Sequence, residues 1–141
     1  MTDRDDGKVR AMGAAENAEV VRRGYKAFNA GDLSALRDLF AENVVWHAVG
    51  SGALSGTKLG RDEVLAYFAE LGEQSQGSFR ATVRDVLGGE KHTVGIHQTH
   101  AESDGKTLDM ATAIVFVLHD GKIVEGREFS EDSALSDDFW T

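Results

Sequence analysis

From residue 78 to residue 129 the chain is a succession of period-two runs, about 78–87, 92–102, 107–118 and 122–129. They are parted by Gly88-Gly89, Asp104-Gly105 and Asp120-Gly121. Asp-Gly between apolar runs signals a two-residue hairpin, because a type I′ turn needs positive φ at both central positions. Four strands joined this way pair consecutively and antiparallel. The strand over Leu108–Leu118 constrains the fold further, because both of its faces are apolar. Met110, Thr112, Ile114 and Phe116 share one face; Ala111, Ala113, Val115 and Val117 share the other. Such a strand is covered on both sides. Helices of the same chain can cover one side, and a second copy is the economical cover for the other. A homodimer through the sheet is therefore expected.

The first half supplies the helices. Ala18, Val21, Tyr25 and Phe28 recur at helical spacing over about Ala14–Ala30 and form one apolar stripe. Asn29-Ala30-Gly31-Asp32 breaks the chain, and Asp32 can cap a second helix bearing Leu33, Leu36, Leu39 and Phe40. Asn43–Val49 is β-branched and aromatic and reads as a strand. A glycine-rich loop, Gly50–Gly60, leads to a third helix with Val64, Phe68 and Leu71 buried and Gly72 at its C-terminal cap. Helices ahead of an antiparallel sheet make an α+β domain. The expected domain is 14–141, preceded by a flexible tail over residues 1–13.

Composition narrows the function. The 141 residues suit one domain with a full core. Asp and Glu outnumber Lys and Arg 24 to 15, a net charge of −9. That charge opposes nucleic acid, which needs a basic face, and anionic membranes. No cysteine is present, which removes thiol nucleophiles and cysteine–zinc sites. No apolar run approaches the ~18 residues of a membrane span, and no signal peptide is visible. A cytoplasmic location is expected. Phosphate-binding glycine loops, serine triads and dinucleotide fingerprints are missing, so no cofactor is expected.

Tyr25-Lys-Ala-Phe-Asn-Ala-Gly-Asp-Leu33, Leu39-Phe-Ala-Glu-Asn-Val-Val-Trp-His47, Ser55-Gly-Thr-Lys-Leu-Gly-Arg-Asp-Glu-Val-Leu65 and Asp120-Gly-Lys-Ile-Val-Glu125 occur in that order. Together they resemble the nuclear transport factor 2-like superfamily, and within it the SnoaL-like and ketosteroid-isomerase-like proteins. The resemblance spans about residues 16–139. It implies a cone: three N-terminal helices on a strongly curved, mainly antiparallel sheet around a deep cavity, with a dimer through the sheet. The implied ligand is a hydrophobic small molecule. Tyr25, Phe28, Phe68, Gln98, Ala113 and Val115 are its expected contacts.

The ketosteroid-isomerase constellation does not carry over. Its first-helix tyrosine falls on Gly24, beside Tyr25, and its strand acid on Ala113 or Ile114. Neither can serve through its side chain. Its base falls on His47 or Ala48, and the SnoaL-type histidine falls near His100. His47 is thus the first candidate for general acid/base work, since imidazole titrates near neutrality. His100 is the second candidate. The bland readings are a strand-end histidine bonded to a loop and, for Gln98 and His100, a strand emerging into solvent. Trp46, on the opposite face from His47, reads as core or dimer packing. His97 and His100 are split across a strand by their odd separation, so no metal site is expected. Asp109, Glu125, Arg127 and Glu128 offer ion pairing, or a water-activating Asp–Arg–Asp arrangement as in the superfamily's epoxide hydrolases. Phe139 and Trp140 would cover a cavity mouth or a partner. The expected activity is isomerase- or cyclase-like proton transfer on a cyclic or polyketide-like substrate; the alternatives are a hydrolase variant and a non-catalytic binding or dimerisation module.

Overall fold

The computed structural model describes the backbone of residues 2–141 and the side chains of residues 13–141. The elements are α1 (Thr2–Asn29), α2 (Leu33–Leu39), β1 (Phe40–Ala48), β2 (Gly56–Leu59), α3 (Arg61–Gln74), β3 (Arg80–Leu87), β4 (Thr93–Ser103), β5 (Lys106–His119), β6 (Lys122–Ser130) and α4 (Ser133–Phe139). The tail expected over residues 1–13 falls, apart from Gly13, on residues whose side chains lie outside the described set. The six strands form one curled, unclosed sheet in the order β2-β1-β6-β5-β4-β3. Every neighbouring pair is antiparallel except β1 with β6.

The local chemistry explains the joints. Asp104 and Gly105 sit at φ 50 and 79, Asp120 and Gly121 at φ 50 and 77, as both Asp-Gly hairpins require. Asp32 caps α2 by accepting the Ala35 N–H at 3.0 Å, and Asp132 caps α4 by accepting that of Leu135 at 3.0 Å. The Asn29 amide closes the end of α1 onto edge strand β3, donating to the Ala81 carbonyl and accepting from its N–H. Register shifts interrupt β1, β3 and β6 pairing, and such bulges bend a sheet. Two points differ from expectation. Gly72 stays inside α3, whose cap is Ser75, with the left-handed turn delayed to Gln76 and Gly77. The loop expected over Gly50–Gly60 contains β2.

One glycine fixes how the sheet meets its largest side chain. A Cβ on Gly126 of β6 would overlap the six-membered ring of Trp46. That indole cannot drift, because Phe40, Phe68 and Phe116 surround it. Gly126→Ala is expected to lower stability by about 1–3 kcal/mol through overpacking. Urea unfolding checks it; an unchanged midpoint would show that the indole has room to move.

Candidate functional site

The inner face of the sheet, α1, α3 and α4 enclose a cavity of about 90 Å³, room for a small ligand or several waters. Most of its wall is aromatic or aliphatic, including Tyr25, Phe28, Trp46, Phe68, Phe116 and Trp140. Where α4 meets the loop after β1, Asp137 accepts the N–H groups of Ser51 and Gly52 at 3.1 and 3.0 Å and the Ser51 hydroxyl at 3.1 Å. Those donors, the Ser51 N–H foremost, hold its carboxyl below the usual carboxylate range.

Two polar stations stand in this wall. The first is Glu128 on β6. Its Oε2 accepts from Trp46 Nε1–H at 2.8 Å and from the Tyr67 hydroxyl at 2.9 Å; its Oε1 accepts the Val49 N–H at 3.0 Å. A carboxylate has about four acceptor positions, so one on Oε1 is uncommitted among these contacts. Burial raises the Glu128 carboxyl above the ordinary glutamate value; the Val49, Trp46 and Tyr67 donors and the Lys58 charge oppose that shift. Lys58 Nζ itself bonds the Ser55 carbonyl at 3.1 Å and lies 5.2 Å from the centre of the Tyr67 ring. Burial, then the charge and hydrogen bond of Glu128, keeps the Tyr67 phenol well above its usual range. Tyr67 is therefore a permanent donor.

The second station is a chain of four side chains. Tyr25 Oη lies 2.8 Å from His97 Nδ1, His97 Nε2 lies 3.1 Å from Thr99 Oγ1, and Thr99 Oγ1 lies 2.8 Å from Thr112 Oγ1. Burial lowers His97 from 6.5 to about 4, so the imidazole is neutral at pH 7. Burial, reinforced by the charge of Glu128, raises the Tyr25 phenol. Gly95 makes the space: a Cβ there would lie 2.5 Å from the Tyr25 hydroxyl.

Of the expected site residues, Tyr25, Phe28 and Phe68 line the cavity. Five expected residues do not. His47 lies on the outer face of β1, bonding Thr57 and Glu125 at 3.2 Å each. Alternation along the strand sends it outward because Trp46 takes the interior. Gln98 and His100 also face outward, over Asp109 at 3.2 and 3.4 Å. Gly95, His97 and Thr99 are the inward residues of β4, because the Tyr25 ring needs the Gly95 gap and its hydroxyl needs His97. Ala113 and Val115 stand on the outer face of β5, whose inner face carries Met110, Thr112, Ile114 and Phe116. The bulkier set fills the interior. Asp109 and Arg127 are outside and Glu128 inside, so an Asp–Arg–Asp arrangement does not form. His97 and His100 lie on opposite faces. Among the described residues, no group of three or more His, Cys, Asp or Glu side chains could hold a metal ion, and no helix is long and apolar enough to cross a membrane.

The His47 contacts are exposed enough to be worth about 0–1 kcal/mol. His47→Ala is accordingly expected to shift stability by no more than that and to leave any cavity chemistry within about twofold. Thermal unfolding and a turnover assay check both; a hundredfold loss would return His47 to the mechanism.

A bent sheet folded over a long helix around a cavity is the nuclear transport factor 2-like architecture. The chain belongs to the SnoaL-like domain family, whose model matches residues 21–126. An uncharacterized protein of Mycobacterium tuberculosis is 32% identical over 123 residues, covering 86% of this chain and 94% of that one. The structure of Bal32a, from a soil-derived mobile gene cassette, superposes with a TM-score of 0.89 at 41% identity over 92% of this chain and 99% of that one. A protein of unknown function with a cystatin-like fold from Xanthomonas campestris gives 0.83 at 28% identity, over 88% and 97%.

Proposed function

We propose that the cavity is the active site of a small cofactor-independent enzyme that transfers a proton on a hydrophobic cyclic or polyketide-like substrate, with isomerase- or cyclase-like outcome. Glu128, not His47, would be the base. One observation carries this reading: a carboxyl set in an apolar wall, fixed by three donors, with an acceptor position left open. Burial raises its basicity toward neutrality, where a general base works best. The step balances within the pair: a substrate C–H bond breaks, an Oε1–H bond forms, and the electron pair moves into the substrate's activating group. The proton then returns to another carbon. Trp46 and Tyr67, already aimed at Oε2, steady the ionised form without reorganisation.

The test is hydrogen–deuterium exchange, followed by NMR in deuterated water, over a panel of cyclic carbon acids that includes ketones and nitriles. Exchange faster than buffer supports the enzyme. Binding without exchange favours the non-catalytic module instead. The same reading keeps the homodimer as a proposal, supported by Val94, Ile96, Ala113 and Val115 on the outer face, which a single chain leaves half-buried.

A further inference from the structure

Glu128 holds its charge among neutral groups. Its donors, from Trp46, Tyr67 and Val49, are all uncharged. Among the described residues no Lys, Arg or His forms an ion pair with it. A buried carboxylate without a cation tends to take up a proton. A cation is nevertheless stationed behind the wall. Lys58 stands directly opposite Trp46 in the β1–β2 ladder, and directly opposed residues share a face of the sheet. Its side chain is half-buried, and its Nζ donates to the Ser55 carbonyl at 3.1 Å. The same Nζ lies over the Tyr67 ring, 5.2 Å from its centre, inside the ~6 Å reach of cation–π attraction. The hydroxyl of that ring donates to Glu128 Oε2 at 2.9 Å. Ammonium, ring and carboxylate thus stand in series.

We infer that Lys58 is a positioning residue for Glu128: its ammonium, tethered to the Ser55 carbonyl, acts through Tyr67 to keep the buried carboxylate ionised. An ammonium over the ring draws electron density from it and makes the phenol a stronger donor, and polarisation passes along such a series. The Lys58 charge also opposes the rise that burial imposes on Glu128. The other titratable groups of the cavity supply no positive charge. Tyr25 of α1 and Tyr67 of α3 are neutral phenols, and His97 of β4 is neutral at pH 7. Asp137 of α4 is itself acidic and committed to Ser51 and Gly52. On β6, Glu125 and Arg127 face the other side of the sheet. The placement has a chemical advantage. A direct ion pair would compete for the acceptor position open on Oε1, whereas a charge behind the ring tunes the carboxyl and leaves that position free. The consequence for catalysis rests on the reading of Glu128 as the base; the effect on its ionisation does not.

Carboxyl ¹³C NMR on glutamate-labelled protein tests it, with the Glu128 signal assigned through Glu128→Gln. An opposite charge within about 4–6 Å lowers a carboxyl by roughly 1–3 pH units, and one acting across a ring is expected to give about 0.5–1. Lys58→Gln, whose amide can still donate to Ser55, and Lys58→Met should therefore raise the Glu128 midpoint by that amount. Lys58→Arg keeps the charge and should leave the midpoint within about 0.3 of wild type. An unmoved midpoint in either neutral variant that folds overturns the inference. So does an equal rise in Lys58→Arg, which would make packing the cause. In a Tyr67→Phe background the Lys58→Gln shift should shrink, as coupled residues require; an undiminished shift overturns the route through Tyr67. None of these readings needs turnover. A Lys58-dependent midpoint in a protein that exchanges no carbon acid would keep this inference and remove the enzyme. Carbon-acid exchange whose pH limb ignores Lys58 would do the reverse.

Discussion

Glu128→Gln is expected to slow carbon-acid exchange at least ~100-fold, the lower end for loss of a general base. The amide keeps the size of the carboxyl, and its oxygen can still accept from Trp46 and Tyr67. Its NH₂ group, however, meets the Val49 N–H, donor against donor, and has no lone pair for a proton. The comparison thus separates chemistry from shape. The wild-type rate should also rise with pH as Glu128 ionises, and burial places that limb above the ordinary glutamate value of 4.5. Exchange kinetics by NMR from pH 4 to 8 measure both effects. Equal rates for the two proteins would exclude Glu128 as the base, and so would a profile flat throughout.

The second large effect is on stability in mild acid. His97 has an ordinary value of 6.5 and a folded value of about 4. Between the two, the unfolded chain binds the extra proton and the folded chain does not, so stability falls as pH falls. The contribution is complete above pH 6.5 and is lost as pH drops toward 4. At 1.4 kcal/mol per pH unit, the loss is about 2–3 kcal/mol. Glu128 works in the opposite sense: its raised value favours the folded state in acid and costs stability as pH climbs through it. Asp109 and Asp137 are held below 3.8 and lose their contributions only beneath this window. Urea unfolding at pH 7 and pH 4.5, for wild type and His97→Gln, isolates the imidazole. The wild type should show the extra loss; parallel behaviour would mean that His97 is not neutralised by burial.

The architecture was legible in the sequence because turns and periodicity report directly on backbone. The two Asp-Gly turns, the Asp32 cap and the stripe through Val21, Tyr25 and Phe28 each act locally and each hold in the fold. The site was not legible in the same way, because a strand shows two faces and does not say which is inside. On β4 the sequence offers two faces, and Val94 and Ile96 make the outward one the more apolar. The interior instead takes Gly95, His97 and Thr99, since Tyr25 from α1, seventy residues earlier, fits only over a glycine. On β1 the size of Trp46 was the available signal, and alternation from it puts His47 outside. Glu128 could be placed opposite Glu125 and Arg127 by parity. Nothing local says that a glutamate will be buried; that depends on the Trp46 indole and the Tyr67 hydroxyl, which come from β1 and α3.

The wall around the cavity is not equally firm. Its interior rings are wedged against one another, while the closure between α4 and the β1–β2 loop hangs on Asp137, whose bonds to the Ser51 N–H and hydroxyl face water and whose bond to the Gly52 N–H is half-buried. Such bonds trade with solvent at little cost, so opening is cheapest along this seam. Redesign that loosens the cavity wall therefore begins at Ser51 and Gly52, not among the aromatic side chains.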